Sequence, residues 1–77
     1  MKLAPISPQK LVKMLGFLGY FPARQKGSHL ILENSVTGKI VVIPVHSSKE
    51  ISVGLLSSIL RETGITRERY FELLEKA

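Results

Sequence analysis

Two turn signals do most to limit what this chain can fold into. Lys26-Gly27-Ser28 and Thr37-Gly38 divide the middle of the chain into three β-prone stretches, Tyr20 to Gln25, His29 to Asn34 and Lys39 to Val45. The third is rich in Ile and Val, side chains that suit a pleated, half-buried surface. Connections this short join strands only as antiparallel neighbours, because a parallel crossover needs a dozen or more residues. Pro22 restricts the first stretch to an edge or a strand start, since proline has no N–H to give a ladder. The middle of the chain therefore predicts an antiparallel meander of three strands.

The flanks read as helices. Ser7 is placed to cap a helix over residues 8 to 18, with Pro8 at its first position and Gly19 as its stop. Leu11, Val12, Leu15 and Leu18 recur there at helical spacing. Ser52 is placed to cap a second helix carrying Leu55, Leu56, Ile59 and Leu60 and ending at Gly64. Thr66 caps a third, in which Tyr70, Phe71 and Leu74 are spaced to bury. The order α-β-β-β-α, plus a short C-terminal helix, predicts an α+β two-layer sandwich with the helices on one face of the sheet. Alternation along the third strand then divides Val41, Ile43 and Val45 from Ile40 and Val42. With the first set toward the helices, Ile31, Ile40 and Val42 are left on an open face. A bulge near Gly27 would reverse that assignment. The plain reading of this open face is β-propensity on a partly buried sheet, and the sharper one is an apolar patch for a partner chain.

At 77 residues, the chain is expected to be a single domain over 1–77. No apolar run approaches the roughly 20 residues of a membrane helix. MKLAPISPQK has no apolar core of a secretory signal, and there is no cysteine. These features favour a cytoplasmic protein. Eleven Lys and Arg against six Asp and Glu give a net charge of +5, which favours a polyanionic or acidic partner. The aromatic share of 6% is low for an obvious base-stacking platform. No P-loop, no nucleophile motif and no metal-ligand spacing is present, so neither a metal nor a cofactor is expected.

Two histidines remain as candidates for chemistry. His29 opens the second strand and His46 closes the third, so a hairpin turning near Thr37 brings these ends together. Gly27, Ser28, His29, Val45 and His46 should gather at one end of the sheet, with Arg24 and Lys26 from the same end and Lys49 shortly after. A histidine among cations on a basic domain fits RNA cleavage without metal. That reaction needs a base for the 2′-hydroxyl or an acid for the leaving 5′-oxygen, and positive charge on the phosphorane. Imidazole suits the proton transfers because its ordinary pKa is about 6.5. Plainer readings stand beside this one. Histidines near turns are common surface residues, Lys26 solubilises a turn, Arg24 pairs with a carboxylate, and Lys49 beside Glu50 is a solvated loop. Arg67 and Arg69 share a helix with Glu68, Glu72 and Glu75, which reads as a mixed solvent face.

Leu18-Gly19-Tyr20, Arg24 to His29, Ile43 to His46, Lys49 to Ile51 and Gly54 to Ile65, taken in order, resemble the HicA family of toxins. The Gly-Ser-His element alone is weak, but together with Pro-Val-His, Lys-Glu and the Ser-Ile-Leu helix it is specific. The resemblance implies a fold like a double-stranded-RNA-binding domain. It implies a ribosome-independent mRNA endoribonuclease restrained by a HicB-type antitoxin. It places the catalytic histidine at His29, with Lys26, Gly27 and Ser28 matching around it and His46 in a structural or supporting role. Ser52-Val53 stands where the family usually has Lys-Pro, and Ser57 where a basic residue often stands, which touches RNA contacts from the second helix. Pro22 is a further departure. A non-catalytic RNA-binding module on the same fold, and a protein-interaction domain using the open face or a sheet edge, are the competing readings.

Overall fold

Hydroxyl side chains start each helix of the computed structural model, which describes residues 2–45 and 49–77. Ser7 Oγ accepts from Lys10 N–H at 3.2 Å at the head of α1 (Pro8–Gly16). Ser52 Oγ accepts from Leu55 N–H at 3.2 Å before α2 (Val53–Thr63), and Thr66 Oγ1 accepts from Arg69 N–H at 3.1 Å before α3 (Arg67–Lys76). Each satisfies one backbone donor that a helix terminus leaves unpaired. Between α1 and α2 run β1 (Tyr20–Lys26), β2 (His29–Asn34) and β3 (Ile40–Pro44). They form one antiparallel sheet in the order β1-β2-β3. The architecture is α+β in the order α-β-β-β-α-α, as the turn signals and caps predict.

The helices cover one face of the sheet. Leu11 and Leu15 of α1, Leu32 of β2, Ile43 of β3 and Leu56 of α2 are all wholly buried. Burying each such side chain stabilises the fold by about 1.5–3 kcal/mol against its exposed state. Val41 and Ile43 point into this core, whereas Ile40 and Val42 are 58% and 45% exposed. The predicted division of the third strand therefore holds. A bulge does occur, but in β1, where the register shifts between Pro22 and Arg24. It leaves the pairing of β2 with β3 in step.

Several boundaries and core positions differ from expectation. α1 stops at Gly16, before Leu18, because the chain tightens there into N–H to C=O bonds three residues apart, from Phe17 to Met14, Leu18 to Leu15 and Gly19 to Gly16. β3 runs from Ile40 to Pro44, one residue shorter at each end than the expected stretch from Lys39 to Val45. Met14 and Leu73 are core residues that the spacing passed over, while Val12, Leu18, Leu55, Phe71 and Leu74 are only partly buried. Ile6 and Ile51 form an isolated antiparallel bridge through two backbone bonds of 3.1 and 2.7 Å. That bridge ties the segment before α1 to the segment before α2.

Asn34 is the buried polar residue at the far end of the sheet. Its Nδ2 donates to the Leu18 carbonyl at 3.0 Å, and its Oδ1 accepts from Val36 N–H at 2.9 Å and Thr37 N–H at 3.0 Å. One side chain thus joins the turn after α1 to the turn between β2 and β3. Burial is tolerated because its polar atoms are satisfied.

Candidate active site

The opposite end of the sheet is shaped by a two-residue hairpin. Lys26 pairs with His29 across Gly27-Ser28. Gly27 has φ +61, and no non-glycine residue in the described chain has positive φ. Positive φ at the first turn position alone is the pattern of a type II′ turn, whose twist matches the strands it joins and whose first position takes glycine. Gln25 Nε2 donates to the Gly27 carbonyl at 3.0 Å and holds the turn from the side. The turn is therefore fixed before His29 enters β2.

His29 also faces Pro44 across the β2–β3 pair. Val45 N–H donates to the Ser28 carbonyl at 2.7 Å, just beyond that pair. A bond placed there makes His29 and Pro44 a non-hydrogen-bonded pair, the closer of the two antiparallel spacings. Pro44 costs the ladder nothing, because its nitrogen faces away from β2.

Cross-strand partners share a face, so the register lays out the open face in rows. Lys26, His29 and Pro44 form the first, Arg24, Ile31 and Val42 the second, and Phe21, Glu33 and Ile40 the third. Lys26, Arg24 and His29 are exposed, and Ile31 is half-buried. The result is an exposed imidazole flanked by an ammonium and, one row on, a guanidinium, with an apolar strip running down β2 and β3. These groups can move a proton and hold an anion at one water-accessible position.

Of the residues singled out in the sequence, Arg24, Lys26, Gly27, Ser28 and His29 come together at this end. Ile31, Ile40 and Val42 share its face. His46 lies outside the described residues. Lys49 is exposed and lies outside the sheet, two residues before Ile51 of the Ile6–Ile51 bridge. Sequence reasoning missed the Gln25 brace, which shows only once the turn is built. It also missed Phe21, which is 54% exposed. The bulge, which the sequence marks only by Pro22, sets its strand position opposite Glu33, and its ring reaches Gly16 at the end of α1. Among the described residues, no three His, Asp or Glu side chains gather as metal ligands. No described helix is long and apolar enough to cross a membrane.

A pocket of about 300 Å³ lies away from this end, between the segment before α1 and the helix α3. Tyr70 lines it beside Phe71, the two rings meeting edge to face at 5.1 Å. Burial pushes the Tyr70 phenol up from its ordinary pKa of 10.0. None of the residues around His29 lines this pocket.

Residues 8–65 match the family described as the HicA toxin of bacterial toxin–antitoxin. The chain belongs to the HicA toxin family. The matched span runs from the start of α1 to just past α2, so the whole hairpin and open face of this HicA toxin lie inside it, and α3 lies beyond it. No curated protein matches the chain.

Proposed function

We propose that this HicA-family toxin is an endoribonuclease that cleaves mRNA without ribosomes or metal, with His29 moving the proton. The observation that carries the reading is the exposed His29 paired across a rigid two-residue turn with Lys26, inside the span matched to the toxin family. In this reaction the 2′-oxygen of a ribose bonds to phosphorus and the bond from phosphorus to the 5′-oxygen breaks. The 2′-hydroxyl loses one proton and the 5′-oxygen gains one. A single imidazole that accepts the first and returns it balances the step. Lys26 and Arg24 supply the positive charge that the phosphorane needs. Gly27 and Ser28 set the imidazole's position, and His46 and Lys49 are supporting residues in this reading.

The expected products are a 2′,3′-cyclic phosphate and a 5′-hydroxyl. A substrate with a single 2′-deoxyribose at the cleavage position should resist cleavage there. Cleavage at that position despite the missing hydroxyl would remove His29 from the role given to it.

Restraint by a HicB-type antitoxin fits the apolar strip of Ile31, Ile40 and Val42. Ile40 and Val42 are too exposed to serve the core, and a chain covering them would also cover His29. A non-catalytic RNA-binding module is the second reading. It is favoured by the net charge of +5 and predicts salt-sensitive RNA binding that does not depend on His29.

A further inference from the structure

We propose that the backbone N–H of Ser28 donates to a non-bridging phosphate oxygen at the cleavage position, and that Gln25 is the positioning residue that aims it. This rests on the nuclease reading above and adds to the cations a second, uncharged group that steadies the phosphorane.

Two features fix where that N–H points. The first is the turn. Lys26 and His29 are paired, Gly27 has φ +61, and no described non-glycine residue, Ser28 included, has positive φ. In such a II′ turn the Gly27–Ser28 peptide stands across the sheet instead of lying in it. Its C=O then faces one side and its N–H the other, because the peptide is planar and trans. The standard angles at the first central position, about +60° and −120°, tip the C=O away from the side chains of the flanking pair.

The second feature is Gln25. It pairs with Leu30, one step along from the Lys26–His29 row, so its side chain leaves β1 on the opposite face. That is the face on which Leu30 packs against the core. Gln25 Nε2 donates to the Gly27 carbonyl at 3.0 Å. The carbonyl is therefore held on the helices' side, and the Ser28 N–H is directed to the open face, where Lys26 and His29 lie.

The surroundings suit an anion there. Among the described residues Ser28 N–H meets no acceptor, whereas the Ser28 carbonyl accepts from Val45 N–H at 2.7 Å and anchors the turn to β3. A Cβ added to Gly27 would meet nothing within 4 Å, so the space around the central peptide is open. Lys26 and His29, which flank the turn, are exposed. An N–H already aimed by a turn needs no reorganisation as charge develops on the phosphate oxygens. It keeps its proton, so the proton balance of the cleavage step is unchanged.

Ser28→Pro removes this N–H and suits the negative φ. Ser28→Ala removes the hydroxyl alone and is its reference. The substrate is a short strand with one ribose at the cleavage position and deoxyribose elsewhere. The kcat of Ser28→Pro should lie about 10²- to 10³-fold below that of Ser28→Ala, with little change in KM, as for loss of one oxyanion donor. Gln25→Met keeps the side-chain length without the donor and should lower kcat roughly two- to tenfold with KM held. Sulfur, a weak acceptor, reads the contact directly when it replaces one or the other non-bridging oxygen. The parent should be slowed more by one of the two diastereomers, Gln25→Met should show a smaller preference, and folded Ser28→Pro none. Equal kcat for Ser28→Pro and Ser28→Ala, or a sulfur preference that survives in Ser28→Pro, would overturn the contact and leave His29 as the nuclease's acid and base. A rise in KM with kcat unchanged would also overturn it, making the N–H a ground-state RNA contact. Where circular dichroism shows Ser28→Pro unfolded, Gln25→Met decides, and parent-like kcat and sulfur preference would overturn the proposal. No cleavage of the all-oxygen strand by the parent would overturn the nuclease reading itself.

Discussion

Replacing Asn34 with alanine removes three hydrogen bonds at once, to the Leu18 carbonyl and from the Val36 and Thr37 N–H groups. Each is worth a net of about 1 kcal/mol. Val36 and Thr37 are exposed, so water can take over their N–H groups, whereas the Leu18 carbonyl is part-buried. The expected loss is therefore about 2–3 kcal/mol, against a total of about 4–12 kcal/mol for a domain of this length. At about 4–8 °C per kcal/mol, the thermal midpoint should fall by roughly 10–20 °C in a calorimetric scan. Asn34→Asp keeps the oxygen that accepts from Val36 and Thr37 N–H but buries a carboxylate oxygen against the Leu18 carbonyl, so at neutral pH its midpoint should fall at least as far as that of Asn34→Ala. Asn34 lies five residues along β2 from His29, and cleavage by folded Asn34→Ala at low temperature should match the parent. A midpoint shift below about 4 °C would refute the role given to this side chain as the tie between the two turns.

Three other outcomes follow from the same geometry. Gly27→Ala meets no neighbour within 4 Å but must hold φ +61, so it should cost about 1–2 kcal/mol of stability and lower the cleavage rate with little change in KM, measured by denaturant unfolding and steady-state kinetics. Val42→Asp places a charge in the open apolar strip and should weaken a HicB-type complex at least tenfold by titration calorimetry while cleavage persists; equal loss of both activities would contradict the face assignment. Tyr70 ionises less readily folded than unfolded, so it leaves stability unaffected below pH 10, its unfolded value, and lowers it as pH rises above that. Tyr70→Phe should therefore flatten the fall in stability above pH 10, as read from unfolding midpoints.

The strands and caps were legible because each carried a local cause. Ser7, Ser52 and Thr66 are capping hydroxyls followed by apolar periodicity, and Gly27 and Thr37-Gly38 announce turns regardless of what packs on them. The division of Ile40 and Val42 from Val41 and Ile43 was legible because strand parity is strict once one face is covered. The bulge was not, because Pro22 marks an irregularity without saying which way the register slips. Phe21 was hidden for that reason, as its face depends on the slip. Asn34 was hidden because its partners are backbone groups of turns 16 and 2–3 residues away. The pairing of His29 with Lys26 and Pro44 was half legible: the hairpin brings the ends together, but only the register names the neighbours.

The most direct measurement is cleavage of a long mRNA by the purified chain and by His29→Ala, in EDTA and without ribosomes, with folding of both checked by circular dichroism. His29 is exposed, so the substitution should change stability by no more than about 0.5 kcal/mol. The account predicts cleavage by the parent and none by the folded variant. Equal cleavage by both would contradict it, and so would a parent that binds RNA without cutting it.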